Sequence, residues 1–288
     1  MYFAVDPLDV ADVTSQLMTL IEANSKANWI AVVDRAFDHG GSALACHGTH
    51  IVLYSSEELD ALSDVSPLLI PLITEEKRGL EEQLLSLAQH CAGRPMLSVV
   101  ASAKHAEEIK LNWQKCARVV TDDGQKMLLR FADTRVLPVL AETLRQESWV
   151  ALTHELIGWW YIDRAGELMP APIAATDTAP AFPIAIGRHG LSQMLERNEP
   201  DAVIDRIFAQ TPEILPKSNK AAFFERMRNV CDFAREREVE AFPDVVALGA
   251  FDIACRHQGL ENPRLLKLVA DRGWSCGEMA AALIKLLD

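Results

Sequence analysis

The sequence predicts an α+β protein, with a mixed-sheet N-terminal lobe and flanking helices followed by an all-α C-terminal lobe. Three observations predict it. Short apolar, β-prone runs such as Trp29–Val33 and Trp159–Ile162 are interleaved with amphipathic helical patterns through residue 167, without the strict alternation of a doubly wound sheet. Between Leu168 and Gly187 the composition changes to Pro170, Pro172, Pro180 and Pro183 among alanines and threonines. Beyond that segment every patterned stretch has a helical period. The boundaries read 1–167 for the α/β lobe, 168–187 for a Pro/Ala-rich connector and 188–288 for the helical lobe.

In chain order, Asp6-Pro7 reads as an N-cap followed by proline at the first helical position, and Val10, Val13, Leu17, Leu20 and Ile21 continue as a helix to Asn24. Trp29–Val33 reads as a buried strand. Gly40-Gly41 is a turn, with strands expected around Ala43–Cys46 and His50–Tyr54. Ser66–Ile73 is apolar but holds Pro67 and Pro71; proline donates nothing to a ladder, so an edge strand or extended segment is expected. Gly79–Cys91 predicts a helix stopped by Gly93 and Pro95, Met96–Val100 a strand, and Ala103–Lys115 a helix. Asp122-Asp123-Gly124 predicts a hairpin turn, Val136–Leu144 a helix, and Gly158–Asp163 a strand turned back at Arg164-Ala165-Gly166. Five helices are expected after the connector: 192–210, 218–239, 242–257, 262–271 and 275–287. Asn262-Pro263 and Ser275…Glu278 supply start signals for the last two.

Composition excludes several classes. The chain of 288 residues is 49% hydrophobic and 24% charged, the balance of a folded globular protein. Its net charge is −13, and no basic stripe is present, which argues against a nucleic-acid partner. Residues 188–288 hold 14 basic and 16 acidic side chains, so all but −2 of that charge lies before residue 188. The six cysteines are widely spaced and lack a C-x-x-C pair, which reads as reduced, mostly buried thiols. With no signal-peptide pattern and no long apolar run, a cytoplasmic location without stable membrane insertion is expected.

Candidate chemistry is sparse. Cys46-His47-Gly48-Thr49-His50 places a thiol near two imidazoles, but zinc needs four ligands and no second cluster completes the set. Asp38-His39 and His154-Glu155 are acid–histidine neighbours, and adjacency in sequence does not make them converge in a pocket. No G-x-S-x-G, H-E-x-x-H or phosphate-binding loop occurs. No catalytic residue, metal ligand or cofactor is therefore assigned. The rival enzyme reading is a small-molecule hydrolase or transferase in the α/β lobe. It would draw on Ser42 or Cys46 as nucleophile and on a pocket near Asp34, Asp38, His39 and His50.

The stretch Leu128–Leu137 carries the densest signal. Apolar and polar positions alternate through Arg130 and Phe131, then the period lengthens through Val136, Leu137, Leu140 and Leu144. Arg130, Asp133 and Arg135 sit at that switch. With no acid, base, metal or phosphate site for them to serve, Asp133 is read as the helix N-cap, with Arg130 and Arg135 bracing the corner. Among the aromatics, alternation puts Trp159 and Tyr161 on one strand face and Trp160 on the other. Trp160 is either core or an outward anchor for a partner. Phe223 and Phe224 divide the same way, with one expected in the core, and Arg226 and Arg228 lie beside them on a charged helix face.

Four segments give the chain a family likeness: Trp29–Ala36, which includes Asp34; Ser66–Leu72; Leu128–Leu137; and the tryptophan-rich strand near Gly158. Through them it resembles the bacterial type VI secretion effector adaptors, chaperones of the Tap/Tec type. In that family the third segment reads arginine, two aromatics, Asp-Pro-Arg and an apolar helix start. This chain keeps Arg130, Phe131, Asp133 and Arg135, with Ala132 and Thr134 at the second aromatic and the proline. The resemblance implies a non-enzymatic carrier that binds the N-terminal region of an effector toxin and the VgrG spike protein, with the helical lobe as a partner-binding surface. An immunity-like protein that binds a toxin without the spike is the other non-enzymatic reading.

Overall fold

The computed structural model describes residues 2–287 apart from His39, Gly40, Ser42, Glu57 and residues 174–178. The expected turn at Gly40-Gly41 and the candidate residues His39 and Ser42 thus fall wholly or partly outside the described residues. The chain forms two compact units, one of residues 5–194 and one of residues 1–4 with 195–288.

The first unit runs α1 (Val10–Ala23), β1 (Asn28–Asp34), β2 (Ile51–Val52), β3 (Pro67–Pro71), α2 (Lys77–Cys91), β4 (Leu97–Ser102) and α3 (Ala106–Cys116). It continues with β5 (Arg118–Thr121), β6 (Lys126–Leu128), α4 (Leu137–Thr143), α5 (Gln146–Thr153), β7 (Leu156–Ile162), β8 (Leu168–Ala171) and β9 (Ile184–Ile186). Six strands form an antiparallel sheet in the order β2-β3-β1-β4-β7-β8. A second sheet, β6-β5-β9, joins an antiparallel hairpin to one parallel neighbour. The α+β expectation holds.

The period of two along each strand feeds two cores. On one face of the large sheet, Trp29, Ala31 and Val33 of β1 pack with Leu17 and Ile21 of α1 and Leu84 and Leu87 of α2. On the other, Ile30 and Val32 join Trp113 of α3, Phe131, Leu137 and Leu140 around α4, Trp149 of α5 and Trp159 of β7. Trp113 stacks on Trp159 at 5.2 Å between centroids and meets Phe131 edge-on at 5.1 Å. The indole N–H of each is satisfied, Trp113 by Leu152 O and Trp159 by Ser98 Oγ.

Several expectations change. Asp9, not Asp6, caps α1, accepting from the N–H of Ala11 and Asp12. β3 is not an edge: its prolines occupy only its first and last positions, leaving Leu68–Ile70 free to ladder between β1 and the two-residue β2. The segment Ala43–Cys46 is no strand, because α2 side chains take over its backbone partners; Ser86 donates to Ala45 O and Gln83 to the neighbouring His47 O. Helix α5 was not anticipated. Ser148–Thr153 are all buried, so the helix has no polar face to set an amphipathic period. The expected connector, 168–187, instead carries β8, which pairs with β7, and β9, which pairs with β5.

The second unit holds the later part of α6 (Arg188–Gln210), then α7 (Lys220–Glu236), α8 (Phe242–Ala254), α9 (Pro263–Ala270) and α10 (Met279–Leu287). Its core gathers Val203 and Ile207, Met227 and Val230, Leu248, Leu265 and Met279. Asn262 caps α9 by accepting from Arg264 N–H, as expected. Ser275 does not open α10. That helix starts four residues later, because the buried carboxylate of Asp244 accepts from the N–H of Gly277 and Met279 and from the Trp274 indole.

Candidate functional site

Asp34 ends β1, where Val33 and Leu97 are paired and Asp34 N–H still donates to Met96 O. Its carboxylate, 3% exposed, therefore sits at the rim of the sheet but inside the protein. Arg130 reaches it with Nη2 2.8 Å from Oδ2. The same Nη2 lies 3.7 Å from Oδ2 of Asp133. Arg135 closes the group with a two-point grip on Asp133, Nε to Oδ1 at 3.0 Å and Nη2 to Oδ2 at 2.9 Å. Phe37, in the 3₁₀ turn Arg35–Asp38, offers its ring to both guanidiniums, with centroids 5.0 Å from Arg130 Cζ and 5.2 Å from Arg135 Cζ.

The sequence grouped Arg130, Asp133 and Arg135 at one corner and held Asp34 and Phe131 only in the family pattern; the fold joins Asp34 to the three charged residues and packs Phe131 against Trp113 and Trp159. Arg130 and Arg135 brace the corner as expected, whereas Asp133 and Phe131 take other roles. The N-cap of α4 is Val136, not Asp133. Asp133 builds the turn that precedes the helix: its side chain accepts Arg135 N–H, and its carbonyl accepts from Val136 and Leu137. Thr134 N–H donates to Pro95 O, tying the turn to the segment before β4. Phe131 is in the core and not in a strand, since β6 stops at Leu128.

Electrostatics explain the composition of the corner. Burial pushes the Asp34 carboxyl above its ordinary value, Arg130 opposes that, and the neighbouring Asp133 adds to it. For Arg130, burial favours losing the proton, but Asp34 and Asp133 outweigh it and hold the guanidinium above its ordinary value. Two buried carboxylates and two arginines are thus mutually required: remove either arginine and a carboxylate is left buried beside another.

The remaining candidates scatter. Trp160 is half-buried and stacks on Trp29 at 5.2 Å, covering the sheet rather than projecting from it. Phe223 and Phe224 are both in the core of the helical unit, where one had been expected on the surface. Arg226 makes a two-point bond to Asp252, which is fully buried, with Nη2–Oδ1 2.6 Å and Nε–Oδ2 2.8 Å. Arg228 remains half-exposed, paired with Glu225. His50 contacts Cys46 O at 3.1 Å, and among the described residues no group of three or more His, Cys, Asp or Glu side chains fits a metal ion.

The structure also assembles a group that no local pattern announces. Asp38 Oδ1 is 2.8 Å from His90 Nε2 and 2.6 Å from Arg94 Nη1, joining the 3₁₀ turn to the end of α2. The separations of 52 and 56 residues leave no short-range signal to read. Of the acid–histidine neighbours noted in the sequence, His39 lies outside the described residues, and His154 contacts the carbonyls of Val150 and Ala151, one helical turn back.

Among the described residues, no helix is long and apolar enough to cross a membrane. No curated protein and no solved structure matches the chain. Residues 30–151, from β1 to within α5 and including the whole arginine–aspartate corner, match the family model described as Domain of unknown function (DUF4123).

Proposed function

We propose that this chain is a non-enzymatic adaptor of type VI secretion, which binds a cognate toxin through the toxin's N-terminal region and delivers it to the VgrG spike. One observation carries the reading. The stretch that matches the DUF4123 model contains Asp34 and the Arg130-Phe131…Asp133…Arg135 pattern through which the sequence resembles the effector adaptors. Supporting it, the ionisable groups that an enzyme would recruit are engaged with one another: Asp34 with Arg130, Asp133 with Arg135, and Asp38 with His90 and Arg94. These contacts give the corner a bracing role, so partner surfaces lie elsewhere on the molecule. Co-expression of the full chain with the toxin and spike proteins encoded beside it, followed by pull-down from each, tests the reading. A complex with both is expected. Capture of the toxin alone would favour an immunity-like protein, and no complex with either would sink the adaptor reading.

A further inference from the structure

The end of the large sheet opposite the arginine–aspartate corner carries a cleft of about 450 Å³, within the usual size range of ligand sites. It opens where β1 begins, beside the end of β3 and the start of α3, with Asn28, Pro71 and Ala106 in its wall. Its floor is apolar, formed in part by the buried Ile51 and Leu72. Asn28, Thr49, Thr74, Glu75, His105 and Glu107 contribute its polar lining. The hydroxyls of Thr49 and Thr74 make no hydrogen bond among the described residues, and Glu75 forms no ion pair there. Glu107 has one cation nearby, Lys110 one turn along α3 at 3.7 Å. No lysine or arginine lines the cleft, and His105 is its one basic side chain. The start of α3 would by itself favour an anion, but Glu108 already occupies it, accepting His105 N–H at 3.1 Å.

We infer that this cleft receives an arginine side chain from a partner protein. Two carboxylates and two free hydroxyls above an apolar floor offer acceptors and a surface for a methylene stem. Arginine supplies five donors, no acceptor, a fixed positive charge and such a stem. The acidic excess before residue 188 draws cations toward this unit. A planar guanidinium reaches two separated carboxylates with more than one N–H, which a lysine ammonium does as a single point charge. The inference deepens the adaptor reading and rests on it for who the partner is, though not for the chemistry of the cleft.

Amide spectra of the ¹⁵N-labelled full chain, titrated with N-acetyl-arginine amide, test the chemistry. Saturable shifts are expected near Thr49, Leu72–Glu75 and His105–Glu107. Binding should weaken roughly tenfold for the uncharged N-acetyl-citrulline amide and by a similar factor in Glu75→Gln/Glu107→Gln, where charge assistance is lost. Both glutamates are exposed, so an unchanged melting temperature should accompany the double variant. Absent saturation, equal binding of citrulline, tighter binding of N-acetyl-lysine amide, or shifts centred elsewhere would overturn the inference. Pull-down of the co-expressed toxin and spike by Glu75→Lys/Glu107→Lys tests the partner. Loss of a complex that the wild type forms is expected. A complex that persists refutes the partner's arginine while leaving the adaptor reading intact. If the wild type forms no complex, the adaptor reading and the assignment to a partner fall together, and the titration alone judges the cleft.

Discussion

Asp133 shows how much a single buried carboxylate can organise. It accepts from the backbone of Arg135, takes both arms of its guanidinium, and stands within reach of Arg130. Truncation leaves Arg135 without its partner and the turn before α4 without its clasp. Asp133→Ala is therefore expected to lower unfolding free energy by about 3 kcal/mol, the scale of breaking a buried pair. Denaturant titration checks this; under the proposed adaptor role, toxin capture at a temperature where the variant stays folded should be unchanged. Asp252 does comparable work in the helical unit. Burial alone would raise its carboxyl, but the hydrogen bonds and charge of Arg226, with His257 beside it, hold it below the ordinary value. A depressed folded value means the stabilisation is complete above the unfolded carboxyl value of about 3.9 and is lost as pH falls through the lower folded one. The stability gap between wild type and Asp252→Asn should thus narrow on going from pH 6 to pH 3, as read by denaturation at each pH.

At the scale of elements, β7 depends on a residue with no side chain. A Cβ on Gly158 would lie 2.2 Å from the ring of Trp160, which folds back over it to stack on Trp29. In Gly158→Ala the indole must swing away or the strand must move, at a cost of about 1–3 kcal/mol. A change in near-ultraviolet circular dichroism together with a lower melting temperature is expected; wild-type spectra would show that Trp160 does not need the space. Helix starts follow a related logic. The cap of α9 is local, Asn262 to Arg264, and was legible as Asn-Pro. The start of α10 is set by Asp244, more than 30 residues earlier in the chain, so the Ser275…Glu278 pattern pointed to the wrong place.

At the scale of the whole molecule, two cores in the first unit and one in the second bury three of the six thiols, leaving Cys46 and Cys255 partly buried. Burial pushes Cys116 and Cys231 up to about 12 and Cys91 higher still, while Cys276 is exposed. Because the thiolate is the reactive form, an alkylating agent at neutral pH should modify Cys276 first. It should reach Cys91, Cys116 and Cys231 only with unfolding. Mass spectrometry of partially labelled protein checks that order, and early labelling of Cys231 would contradict the packing of the helical unit.

The sequence by itself determined the class of the protein, most of its strands and helices, and the grouping of Arg130, Asp133 and Arg135 at the corner, though not Asp34 as their partner 96 residues away. Those features are written in local periods, turn residues and short spacings, which survive without tertiary contacts. What it misjudged were outcomes of contacts between distant residues. Whether Phe223 and Phe224 face core or solvent depends on which helices pack against α7, and both turned inward. The expected connector became strands because β5 and β7 offered it open edges. Asp133 lost the cap of α4 because its carboxylate turned to Arg135. Asp38 met His90 and Arg94 only because the sheet brings the end of β1 beside the end of α2. Tertiary structure decides these matters because a buried charge or an unpaired backbone group takes its partner from whatever the fold places within reach.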